Sequence, residues 1–149
     1  MNKDLDRKVF VDVPNFYVKD EFFDKNSNAE IDILIAKSIE ALNKKGYETR
    51  FCCSGHLKKG KEVCAYITFK DFYDDFPYLY GWDLDNSGCV VNCGSSIRCF
   101  VKKPTYRKLK RIHSRLCDWC KKLPKLNWPY WMCGWFGRNT SYVNIKCVK

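Results

Sequence analysis

Glycine and proline are scarce in this sequence, eight and five residues in 149. With no low-complexity tract, and with 46% hydrophobic beside 30% charged residues, that scarcity excludes fibrous architectures and extended disorder. Long apolar runs are missing as well. No uninterrupted stretch approaches the roughly 20 residues of a membrane-spanning helix, and MNKDLDRKVF mixes charges where a secretory leader would carry an apolar segment. A cytoplasmic protein without a membrane partner is expected. Neither a Walker loop nor a GxGxxG stretch occurs, so ordinary NTP hydrolysis and Rossmann cofactor binding find no support. Histidine occurs twice, as His56 and His113.

What is present is enough apolar and aromatic material for one domain over 1–149 that buries more than half of its unfolded surface. The ten cysteines fall below the density of small disulfide scaffolds. Nothing indicates export to an oxidising compartment, so reduced thiols are expected in this cysteine-rich chain. Cys64, Cys99, Cys120, Cys133 and Cys147 sit inside apolar patterns and read as core.

The net charge of +10 is unevenly spread. Residues 97–125 hold eleven Lys and Arg against one acid, Asp118, whereas 71–86 hold five Asp and no Lys or Arg. Such polarity favours an anionic partner, a nucleotide or RNA, on the basic side. A solvated helix that only aids solubility is the bland alternative.

Ser27 and Glu30 read as a capping box, and Ile31, Leu34, Ile35, Ile39 and Leu42 recur at helical spacing, predicting a helix over 29–45. Tyr47–Cys53 and Val63–Phe69 read as a β-hairpin with the long tip SGHLKKGKE. Residues 71–88 read as an aromatic excursion that packs its rings back onto the body. A strand over Ile97–Val101 precedes a helix over 105–123, opened by Pro104 and Thr105 and closed by Pro124. Strands over Tyr130–Trp135 and Tyr142–Val148 follow, and a short strand over Val9–Val13 precedes the first helix. The order helix, strand, strand thus occurs twice, suggesting a duplicated unit. The expected fold is α+β, a mostly antiparallel sheet with both helices on one face.

The most unusual local sequence is Phe51-Cys52-Cys53-Ser54-Gly55-His56. Gly55 permits a turn whose N–H groups converge on an anion, with the Ser54 hydroxyl, the His56 ring, and Lys58, Lys59 and Lys61 nearby. An ordinary polar turn is the alternative. Arg107, Arg111 and Arg115 recur every four residues opposite the apolar stripe of the second helix, and guanidinium groups hold phosphate in bidentate fashion. Trp135 beside Arg138 and Asn139 offers a stacking surface, although alternating strand aromatics also build cores. Cys52, Cys53 and His56, or Cys117 with Cys120, have zinc-ligand character. The Cys120 position on the apolar stripe argues against the second pair. A thiolate nucleophile at Cys53 would need His56 turned toward it and a third orienting group, which the sequence does not identify. His113 reads as a packing residue.

The stretch from Ile31 to Phe69, with Leu42-Asn43, Thr49 to His56 and Cys64-Ala65-Tyr66-Ile67-Thr68-Phe69, resembles the wybutosine-synthesis tRNA methyltransferase family. There a helix leads into a strand ending in a Ser-Cys-Ser-Gly-Arg type motif, matched here by Cys53-Ser54-Gly55. His56 stands in place of the family's Arg. The resemblance implies the fold and a cleft for RNA or nucleotide. In type the chain is also similar to small phage-encoded proteins that sequester nucleotide signals. The expectation is a non-catalytic binder of a nucleotide-like anion or short RNA. Its ligand residues would be Cys53, Ser54, Gly55, His56, Lys58, Lys61, Arg107, Arg111, Arg115, Trp135, Arg138 and Asn139, without cofactor or metal. The alternatives are an S-adenosylmethionine-dependent RNA methyltransferase and a zinc-stabilised interaction module.

Overall fold

In chain order the elements are β1 (Lys8–Asp12), β2 (Asn28–Asp32), α1 (Ile33–Lys44), β3 (Thr49–Cys53), β4 (Val63–Phe69), β5 (Phe72–Tyr73), β6 (Asp83–Asp85), β7 (Ser96–Val101), α2 (Tyr106–Lys122) and β8 (Tyr142–Val143). They come from a computed structural model that describes residues 7–12, 28–57, 60–88, 90, 93–126, 142–143 and 145. Lys58, Trp135, Arg138, Asn139, Cys133, Cys147 and the strand expected over 130–135 lie outside the described residues.

The main sheet has the order β3-β4-β7-β6, and every pairing in it is antiparallel. Alternation along β4 and β7 turns Val63, Ala65, Ile67, Phe69, Ile97, Cys99 and Val101 to one face, where they share a single cluster with Ile35, Ile39 and Leu42 of α1 and Leu109, Leu116 and Cys120 of α2. Both helices therefore cover the same face, as an α+β layer arrangement requires. The other face carries Phe51, Tyr66, Arg98 and Phe100 by the same register, with Phe51 and Phe100 exposed. Cys64 also lies on that face and is only half buried, unlike the core position expected of it, while Cys99 and Cys120 are buried.

Three boundaries depart from the sequence reading. Residues 29–32, expected as the first turn of a helix, belong to strand β2, paired antiparallel with β1 through Val9 and Ile31. Apolar spacing from Ile31 onward satisfies helical periodicity, but Ile31 and Ala29 also alternate, and pairing with β1 decides between the two patterns. Of the rings in the acidic stretch 71–88, Tyr73, Phe76 and Trp82 pack inward as expected, with Tyr73 stacked on Phe76 at 4.7 Å and Phe76 edge-on to Trp119 at 5.1 Å, whereas Tyr78 and Tyr80 are exposed. It also supplies β6, which closes the edge of the main sheet, with an Arg98–Asp85 ion pair of 2.9 Å. The two helix-strand-strand units do not share one pairing among the described residues, since β8 runs parallel to β5.

The helices run in the same direction. Ile33 and Leu34 at the start of α1 share a groove with Lys110 and His113 of α2, and Lys45 just past the end of α1 reaches the end of α2. Its Nζ donates to the carbonyls of Cys120, Lys121 and Leu123 at 2.8, 2.6 and 2.7 Å, satisfying acceptors that a helix end leaves open. Among the described residues no helix is long and apolar enough to cross a membrane.

Candidate functional site

The Ser54-Gly55-His56 turn leaves the end of β3 and folds against α2. Gly55 has φ +81°, a left-handed conformation that residues with a Cβ adopt at a cost, and a Cβ here would sit 3.6 Å from Leu109. Ser54 is fully buried, and both its N–H and its hydroxyl donate to Oδ2 of Asp32 at 3.1 Å. Both Ser54 donors are thus directed to an internal carboxylate rather than to an outside anion. Asp32 occupies the N-cap position of α1 yet makes no side-chain cap bond; it turns to Ser54 instead. His56 Nε2 lies 3.4 Å from the same Oδ2, and the Gly55 N–H donates to Cys53 Sγ at 3.4 Å. Cys52 points the other way, in register with Ile67, and burial, reinforced by Asp32 and Cys53, pushes its thiol up to about 12.

His113 links this turn to the helices. Its Nε2 lies 2.7 Å from the carbonyl oxygen of Ser54. A carbonyl only accepts, so Nε2 carries the proton. Burial holds the ring below its ordinary pKa of 6.5, against the opposing effects of the Ser54 carbonyl and Asp32, so the ring is neutral at pH 7. Nδ1 is then a bare acceptor, and it has no hydrogen-bond partner among the described residues although the side chain is only 4% exposed.

His113 lines a groove of about 280 Å³ between α1 and α2. Lys37, Lys110 and Lys121 stand around it with Ser38 and Ser114, against one acid, Asp118. The first turn of α1 also contributes to the wall and contains no acidic residue, while Asp32 stands at its N-cap.

The sequence-predicted residues divide between different places. Cys53, Ser54, Gly55 and His56 form the turn behind His113. Lys61 is exposed on the connector. Arg107, Arg111 and Arg115 are exposed on α2, and the Arg115 guanidinium lies over the Tyr80 ring at 4.8 Å; none of the three lines the groove. Lys110, Ser114, Cys117 and Lys121 repeat at three- and four-residue steps, so helical spacing alone could have singled out their face. Asp32 had no such signal, because its partner is 22 residues away.

Comparison with protein-family models, with curated proteins and with solved structures finds no match to this chain.

Proposed function

We propose that the protein binds a nucleotide-like anion in the groove between α1 and α2, without catalysing a reaction on it. The observation that carries this reading is the presence of Lys37, Lys110 and Lys121 around one groove with Ser38 and Ser114, against one acid. Lysine ammonium groups recognise phosphate as point charges, while the hydroxyl of the exposed Ser114 can bond a sugar or base. A volume of about 280 Å³ is near the lower end, about 300 Å³, of small-molecule sites, which suits one nucleotide unit, free or at the end of a short RNA.

Calorimetric titration with a nucleoside monophosphate, the matching nucleoside and a short single-stranded RNA tests the reading. The expected result is one-to-one binding of the monophosphate and none of the nucleoside. Lys110→Glu with Lys121→Glu should weaken binding by about ten- to a hundredfold or more, the size of one or more charge-assisted hydrogen bonds. Arg107→Glu, Arg111→Glu and Arg115→Glu together should leave most of it. The reverse ranking of the two variants, or no binding of the monophosphate, overturns the proposal.

A further inference from the structure

A second constellation lies behind the groove. A carboxylate oxygen of Asp32, the Sγ of Cys53 and one imidazole nitrogen of His56 all lie within 4.8 Å of one another, and this is the one such group of three among the described residues. We infer that these three side chains form a binding site for a divalent transition metal of the zinc type, with a fourth position open to solvent on the His56 side.

The donor set selects the ion. Thiolate and imidazole favour zinc and its neighbours over magnesium or calcium, which prefer all-oxygen sites. A thiolate and a carboxylate together balance a divalent charge, which matters where Asp32 is only 7% exposed. Tetrahedral zinc, with bonds of about 2.0–2.3 Å, spaces its ligands about 3.3–3.7 Å apart. The His56–Asp32 separation of 3.4 Å already meets that edge, and the other two donor pairs lie within 4.8 Å.

The surroundings of the ligands argue the same way. Metal-bound carboxylates and thiolates are oriented by outer hydrogen bonds. Here Ser54 gives Asp32 two donors, and the Gly55 N–H is directed at Cys53 Sγ. A thiol–imidazole–carboxylate relay would engage opposite nitrogens of the ring. In this turn a single ring nitrogen approaches both the thiol and the carboxylate, which is the convergence a metal needs. His56 is 38% exposed, leaving an entry path and room for water as fourth ligand.

The test uses the full chain stripped with chelator and titrated with Co²⁺, then with Zn²⁺. Nucleotide binding is not read out, so the result is independent of the groove. One equivalent of Co²⁺ should produce a thiolate charge-transfer band with four-coordinate d–d bands, and Zn²⁺ should displace both. Cys53→Ser should abolish the charge-transfer band, and Cys52→Ser should retain it. His56→Ala, altered at a partly exposed ring and checked by circular dichroism, should weaken Zn²⁺ binding more than tenfold. Ser54→Ala should weaken it about ten- to a hundredfold through the outer shell. Absence of the band in the wild-type chain, or its survival in Cys53→Ser, overturns the inference.

Discussion

The Nε2 of His113 and the carbonyl oxygen of Ser54 stand 2.7 Å apart, and this contact joins two sites that the chain builds from separate elements. On one side it fixes the tautomer of a buried ring that lines the α1–α2 groove. On the other it holds the backbone of a turn whose Ser54 donors are engaged by Asp32.

The first consequence is a dependence of stability on pH. Burial depresses the His113 pKa in the folded chain below its ordinary 6.5. The unfolded chain then binds the proton more readily, so stability is fully present above about pH 6.5 and falls as pH drops through 6.5 toward the folded value. His113→Gln, whose amide can still donate to Ser54, should flatten this part of the curve. Urea unfolding from pH 7.5 to 5 measures it, and equal slopes in both proteins would remove His113 as the cause.

A second consequence concerns Ser54. Its hydroxyl donates to a buried carboxylate, and Ser54→Ala leaves Asp32 with one donor fewer from this residue. Hydrogen bonds to charged acceptors contribute about 1.5–3 kcal/mol, so the variant should be destabilised by about that amount in urea titration at pH 7. A change under 0.5 kcal/mol, the ordinary scatter of about ±0.5 kcal/mol for surface substitutions, would mean that water replaces the hydroxyl without loss.

The sequence made the elements legible where one pattern dominated. Val63–Phe69 is rich in β-branched and aromatic residues and forms β4 with those bounds, and Thr105 before the amphipathic stretch caps α2 through Lys108 N–H as the sequence implies. Patterning failed where two periods fitted the same residues, as at Ala29–Ile31, and where a short edge strand such as β6 depends on pairing rather than on its own residues. The Cys53–His56 turn was visible as a motif. Its Cys53 and His56 donors were legible too, but the contacts of Asp32 and His113 with it were not, because these reach it from distant parts of the chain and local spacing carries no information about them.

Two glycines predict contrasting failures. Gly55→Val keeps ordinary van der Waals distances of 3.5–3.6 Å around the new Cβ but must hold a β-branched residue at φ +81°. A cost of about 1–3 kcal/mol is expected, with a folded protein whose turn is perturbed. At Gly94 a Cβ would come within 2.1 Å of the Asp71 carbonyl, where the backbones of 69–71 and 94–95 exchange hydrogen bonds. Gly94→Ala should therefore separate those segments and lower the melting temperature far more than Gly55→Ala. A Gly94→Ala protein as stable as the wild type would show that the approach of the two segments relaxes freely.

The last prediction uses salt to locate the anion. For single-stranded nucleic acid, log K falls with log salt by about 0.7 for each phosphate neutralised. If a short RNA engages only Lys37, Lys110 and Lys121 of the groove, the slope is bounded near −2, with the Asp118 carboxylate reducing it further. If the strand also runs along Arg107, Arg111 and Arg115, six cations contribute and the slope approaches about −4. The groove reading expects the shallower value, and it expects the Arg107→Glu, Arg111→Glu, Arg115→Glu protein to keep most of its affinity, with the slope altered by salt-screened repulsion but by less than the roughly 2 that loss of three phosphate contacts would bring. A slope near −4 that collapses in this triple variant would move the RNA contact from the groove to the exposed arginine row of α2.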